Sequence, residues 1–153
     1  MEFSGIYKIS RNVTTSTAIT IIQIKAGASR PLKILRAWVT QSDSTTSTQT
    51  GIQLLRKTAA ATVTSYTPLL MRPNDPVANA AGSTSGTGIT ATAEGTDGDI
   101  LIEEGFNILN GWLYLPIPEE RIIVPVNGII GLKFPVAPGS ALYKAGIIFG
   151  EIG

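Results

Sequence analysis

The sequence predicts an all-β protein: one antiparallel β-sandwich domain over residues 1–153, jelly-roll-like, with about 8 to 10 strands. Three observations predict it. The chain holds 20 Ile, 18 Thr, 16 Gly and 11 Ser, a composition of β-branched strand formers and turn residues. Apolar runs of roughly five to ten residues alternate with Gly, Pro, Asn, Asp and Ser clusters along the whole length. Near the C-terminus the alternation has a period of two: Tyr143, Ala145, Ile147 and Phe149 share one face, with Leu142, Lys144, Gly146 and Ile148 opposite. With 153 residues, 43% of them hydrophobic, the chain can fill one sizeable core, and neither a fixed-period repeat nor a composition break divides it.

In chain order the predicted strands are Ile6 to Ser10, Thr17 to Lys25, Leu32 to Gln41, Gly51 to Lys57, Thr62 to Thr67 and Ile89 to Ala93. Asp99 to Ile102, Gly111 to Leu115, Arg121 to Val124, Gly128 to Val136 and Leu142 to Glu151 follow. In the Gly128 to Val136 run, Ile130, Leu132, Phe134 and Val136 are expected on one face. Ala18 to Ile24 and Leu32 to Val39 are apolar on both faces for part of their length, which implies a cover on the outside of the sandwich, either a loop or another subunit. Trp38 and Trp112 read as core or interface aromatics. The segment 1–16 is either an N-terminal arm or a strand paired within the sandwich. Ser42 to Thr50 is a polar connection, and Arg72 to Gly88 is a loop long enough to carry a specific contact. Within it, Asp75 to Ala81 could form a two-turn helical excursion after an Asp cap, and Gly82 to Gly88 reads as a flexible linker. Asn12-Val13-Thr14 fits a glycosylation sequon but reads as a solvated turn.

Composition removes much common chemistry. There is no Cys and no His, hence no thiolate nucleophile, no thiolate metal site and no imidazole base. Twelve Lys and Arg against eleven Asp and Glu leave a formal charge of +1, and only 15% of residues are charged. The basic residues Lys25, Arg30, Lys33, Arg36, Arg56 and Lys57 are interleaved with apolar strand residues, so no nucleic-acid partner is expected. No window has the roughly 18 consecutive apolar residues of a membrane helix, and no signal-peptide run opens the chain, so a soluble protein made in the cytosol is expected.

One acidic cluster could carry chemistry. In Asp97-Gly98-Asp99, the Asp-Gly pair could form a hairpin turn, or both carboxylates could join Glu94 around a calcium ion. Asp99 and Glu103 would share a strand face, as a pair of catalytic carboxylates would. The turn is the reading adopted, and no metal or other cofactor is expected.

The order of segments resembles a known family. ITIIQIKAGASRPLKILRAWV, a Ser/Thr loop, GIQLLRKT, LLMRPNDPVANA and the C-terminal NGIIGLKFPVAPGSALYKAGIIFGEI resemble jelly-roll capsid decoration (cement) proteins of tailed bacteriophages. The resemblance spans about Ile19 to Glu151. It implies a non-enzymatic virion protein that is a homotrimer, binds the phage major capsid protein, and reaches the capsid surface after synthesis in the host cytoplasm. Phe3, Ile6 and Tyr7 near the chain start, with Arg72, Asn74 and Asp75 in the long loop, are the expected capsid contacts. The alternative is a receptor- or glycan-binding head domain of a phage fibre or tail.

Overall fold

The computed structural model describes residues 3–153, and these form twelve strands in two antiparallel sheets. Sheet A contains β1 (Phe3–Thr15), β3 (Leu32–Gln41), β6 (Leu69–Leu70), β9 (Trp112–Tyr114), β10 (Ile123–Val124) and β12 (Ala141–Ile152). Sheet B contains β2 (Ile19–Lys25), β4 (Gln49–Ala59), β5 (Thr62–Ser65), β7 (Gly88–Ala93), β8 (Thr96–Asn107) and β11 (Ile129–Phe134). Among the described residues the single helical element is a 3-10 turn at Pro118–Glu120. Among these residues no helix is long and apolar enough to cross a membrane.

The strand order is that of a jelly roll. Sheet A runs β10-β3-β12-β1-β6, with β9 also pairing β3, and sheet B runs β5-β7-β2-β11-β4-β8. When β5, β6 and β7 are set aside as an insertion, the remaining strands run β1-β12-β3 and then β9 and β10 in one sheet and β2-β11-β4-β8 in the other, the order of two Greek keys. β1 lies beside the last strand and β2 beside the next to last. The β1·β12 register is nearly unbroken from Phe3↔Ile152 to Thr15↔Ala141, so the two ends of the chain form the middle of sheet A. Residues 3–15 are therefore a central strand rather than an arm. Asn12-Val13-Thr14 lies within that strand, not in a turn.

Alternation fills the core as the C-terminal pattern requires. Tyr143, Ala145, Ile147 and Phe149 are buried and face Ile22, Ile24, Leu54, Ile130, Leu132 and Phe134 from sheet B. Tyr7 packs on Phe149 with ring centroids 5.6 Å apart, and Phe134 on Tyr143 at 4.9 Å. Val136 does not continue this face, because β11 stops at Phe134 before Pro135 and the side chain is exposed. Trp112 is buried, and its indole N–H donates to Glu104 at 2.7 Å.

The insertion explains the two-sided burial of β2. The β4·β8 ribbon continues as β5·β7, bending between Ala59↔Thr96 and Thr62↔Ala93, and β7 then pairs with β2 at the far side of the same sheet. Sheet B is thus wrapped over its own outer face. Gln23, fully buried there, donates from Nε2 to Gly86 O at 2.7 Å and accepts from Ala61 N at 2.9 Å. A small second core of Ala61, Val63 and Ala91 closes against Ile19.

Candidate functional site

The six expected contact residues come from segments about seventy positions apart, and the fold brings them together at the β6 edge of sheet A. The Asp75 carboxylate accepts the Ile6 amide at 2.9 Å and the Arg72 Nε at 2.8 Å. Arg72 also donates to Phe3 O at 3.5 Å, and Met71 N donates to Ile6 O at 2.9 Å. The Arg72 hydrogen bond and charge, with the Ile6 amide, hold the Asp75 carboxyl below its usual range. Asp75 is used on the β1 backbone, and no helix forms over 75–81, where 76–78 have no regular secondary structure. Tyr7 corrects the expectation. It is fully buried and supports the patch from beneath, its hydroxyl donating to Pro76 O at 2.7 Å. Burial, then the Glu151 and Asp75 charges, push this phenol above its ordinary value. Phe3, Ile6, Arg72 and Asp75 are partly exposed, Asn74 is exposed, and Val77 beside them is 76% exposed.

The rest of the long loop is fastened by a residue that composition did not single out. Glu151 continues the inward face of β12 past Phe149 and is fully buried. Its two carboxylate oxygens accept Asn79 N and Ala80 N, each at 2.8 Å, with an Arg30 guanidinium nitrogen 3.9 Å away. Ala78 and Ala80 are buried behind it. Gly82 to Gly88 is not a free linker either: Thr87 is fully buried and its hydroxyl accepts the Lys25 amide at 3.1 Å.

The acidic cluster has a different use from those expected. Asp97-Gly98-Asp99 lies inside β8, and the chain reverses at Gly95 instead. One Asp97 oxygen accepts Lys57 Nζ at 2.7 Å, and the other accepts Lys133 Nζ at 2.6 Å. The Lys57 side chain is fully buried and donates also to Glu94 O at 2.9 Å. The Glu94 carboxylate accepts the Thr20 amide at 3.1 Å and its hydroxyl at 2.7 Å. Two ammonium groups already neutralise the carboxylate proposed for calcium. Among the described residues no cluster of acidic side chains could hold a metal ion. Between Asp99 and Glu103 the β8 register shifts, from Leu54↔Ile102 to Leu55↔Ile100, so the simple alternation that would put both on one face is broken, and Glu103 is engaged by Gln53.

Partial burial acts to raise the Asp97 pKa, but hydrogen bonds from Lys133 and Lys57 and their charges outweigh it and hold the carboxyl below its ordinary value. A depressed folded-state value gives stability that is present above the unfolded-state pKa, near about 3.9, and lost as pH falls through the folded value. Urea midpoints of the wild-type protein are therefore expected to fall below about pH 4. Asp97→Asn, which leaves Lys57 buried without its counter-charge, is expected to be less stable at pH 7, with the difference narrowing towards pH 3. Parallel curves for the two proteins would show that this ion pair does not contribute.

A second concave surface lies on the outer face of sheet A. The Trp38 benzo ring occupies the space that a side chain on Gly146 would take, 2.2 Å from an ideal Cβ there. The Arg36 guanidinium carbon stands 4.9 Å from the Trp38 ring centroid. Together with Thr40, Asn110 and Leu113, these two residues line an open cavity of about 250 Å³.

Comparison of this chain with protein-family models, with curated proteins and with solved structures finds no match.

Proposed function

We propose that this chain is a non-enzymatic virion structural protein, a homotrimeric decoration protein that binds and stabilises an icosahedral phage capsid. Its partner on this reading is the phage major capsid protein, met at the virion surface after synthesis in the host cytoplasm, with no nucleic acid, membrane or cofactor involved. The observation that carries the proposal is the patch formed by the start of β1 and the 72–77 turn. Exposed apolar and main-chain groups stand there on a backbone tied down by Asp75 and Glu151. A stiff patch loses little conformational entropy when a large lattice covers it. The jelly-roll strand order supports the same reading by resemblance.

The test is binding to expanded, undecorated phage heads. The wild-type protein is expected to bind with weak salt dependence, because the attachment is mainly apolar. Val77→Asp, which lies on the surface, is expected to weaken binding at least about tenfold by placing a charge against the partner. It is a cleaner probe than shortening 78–86, which would open the pocket filled by Ala78 and Ala80. Failure of the wild-type protein to bind any such head would overturn the proposal.

The second reading, a receptor- or glycan-binding head domain of a phage fibre or tail, is favoured by the Trp38 cavity. An indole beside Thr40, Asn110 and a guanidinium offers an apolar surface with hydrogen-bonding neighbours. A glycan array on which the wild-type protein gives signal and Trp38→Ala does not would move this reading ahead.

A further inference from the structure

The cavity on the outer face of sheet A is shaped by two glycines. Gly146 lets the Trp38 benzo ring settle against β12, where a Cβ would displace it. Gly111, at φ +75°, brings the turn before β9 onto β3: a Cβ there would stand 3.1 Å from Val39 O. Asn110 and Leu113 thus form a wall beside Trp38. The β6 patch lies elsewhere, with β12 and β1 between the two surfaces.

The polar groups of this cavity are mostly hydrogen-bond donors, and the protein leaves them unused. Arg36 is exposed, and among the described residues its guanidinium has neither a hydrogen bond nor an ion pair, Glu119 and Glu120 included; its interaction is with the Trp38 ring, 4.9 Å away. The Trp38 indole N–H and the Asn110 side-chain amide have no hydrogen-bond partner among these residues either. Thr40 differs, since its hydroxyl donates to Lys144 O at 3.3 Å. No Asp or Glu lines the cavity. Trp112 pairs with Val39 and is buried towards the core, and Glu104 is engaged there by its indole N–H. A cation–π contact occupies the face of a guanidinium, and the N–H donors in its plane stay available as a fork that matches a carboxylate.

We propose that this cavity holds one acidic sugar residue, its carboxylate on the Arg36 fork, its ring carbons against Trp38 and Leu113, and a hydroxyl within reach of the Asn110 amide. At about 250 Å³ the space is below the roughly 300–1,000 Å³ of pockets for drug-sized molecules, which suits a single monosaccharide. Arg36 is the one cation lining it, which suits a singly charged carboxylate better than a doubly charged phosphate. The inference rests on the glycan-binding reading and narrows it to acidic sugars; it is independent of the capsid patch.

The test titrates nitrogen-15-labelled protein with methyl glycosides of uronic and sialic acids, each beside its neutral methyl ester, and with sulfated and phosphorylated hexoses. At least one acid is expected to shift the Trp38 indole signal, identified by its loss in Trp38→Phe, and to leave that of the buried Trp112 in place. It is expected to bind at least about tenfold more tightly than its ester. Arg36→Lys, which keeps the charge and loses the fork, should weaken the acid about tenfold, and Arg36→Gln should make acid and ester bind alike. The position is exposed, so the fold has little to lose, and the amide spectrum checks that it is kept.

Equal binding of acid and ester by the wild-type protein would overturn the inference and leave the glycan reading standing. So would a preference for the sulfated or phosphorylated sugars, or an acid preference that survives Arg36→Gln. Silence towards every sugar, in the titration and on the array, would remove both.

Discussion

Replacing Glu151 with Ala is expected to destabilise the protein by about 2–5 kcal/mol, a large share of the roughly 5–15 kcal/mol that holds a typical domain folded. The carboxylate is fully buried and satisfies two backbone N–H groups, those of Asn79 and Ala80. Without it, both donors lose their acceptor, and each unsatisfied buried group costs about 1–3 kcal/mol. Glu151→Gln should fall between Ala and wild type, since its single amide oxygen can still accept one of the two. The effect has an address as well as a size. Amide exchange at Asn79 and Ala80 should accelerate far more than exchange in β1 or β12, because the loop is released before the sheet opens. Urea unfolding gives the total and exchange the location. A loss under about 1 kcal/mol would mean that water replaces the carboxylate without penalty.

Gly95→Ala is expected to cost a comparable amount, about 2–5 kcal/mol, and to lower Tm by roughly 5–15 °C. Two independent effects add at this corner. The backbone has φ of +69°, where an L side chain costs about 1–2 kcal/mol. A Cβ there would also lie 2.5 Å from Ala59 O and 2.6 Å from Ala60 O, and both are backbone atoms that cannot swing aside. Relief would require opening the bend that carries β5·β7 over sheet B, which exposes Ala61, Val63 and Ala91 and the buried Lys57. Gly105→Ala, within the strand β8 that follows the corner, is the control. Its Cβ would meet nothing closer than Thr50 O at 3.6 Å, and its φ is not positive. Equal losses at the two positions would show that glycine matters there for general reasons rather than for the corner.

Both variants act on features of the insertion between β4 and β8, where a sequence reading is weakest. The six grouped contact residues show the same division. Phe3, Ile6 and Tyr7 stand out as apolar residues near a chain end, and Arg72, Asn74 and Asp75 as a turn. Nothing in either segment states that the Asp75 carboxylate caps the Ile6 amide across 69 positions. Tyr7 was legible as apolar but not as buried, because a phenol near a terminus serves equally well inside or outside. Leu69–Leu70 was missed as a strand since two residues carry no periodicity, and Asp97-Gly98 was misread because Asp-Gly is a turn signal only when no partner claims the carboxylate. Lys57 and Lys133 claim this one.

What the sequence determined by itself is what local rules control. Ile and Thr at period two make strands, Gly and Pro clusters end them, and the alternation through Tyr143, Ala145, Ile147 and Phe149 names the inward face of β12. The absence of His and Cys likewise removes imidazole and thiolate chemistry before any fold is known. Tertiary structure alone decided which polar groups are buried and what they hold. Glu151, Gln23 and Lys57 look like ordinary strand residues until chain segments from elsewhere supply their partners. It also decided that the outer face of β2 is covered by the protein's own ribbon, because that depends on a bend at Gly95 which swings two strands across the sheet. The physical reason is one of range. Strand formation follows from each residue's own sterics and its near neighbours, whereas the burial of a polar side chain is set by a donor or acceptor that only the closed fold brings within 3 Å.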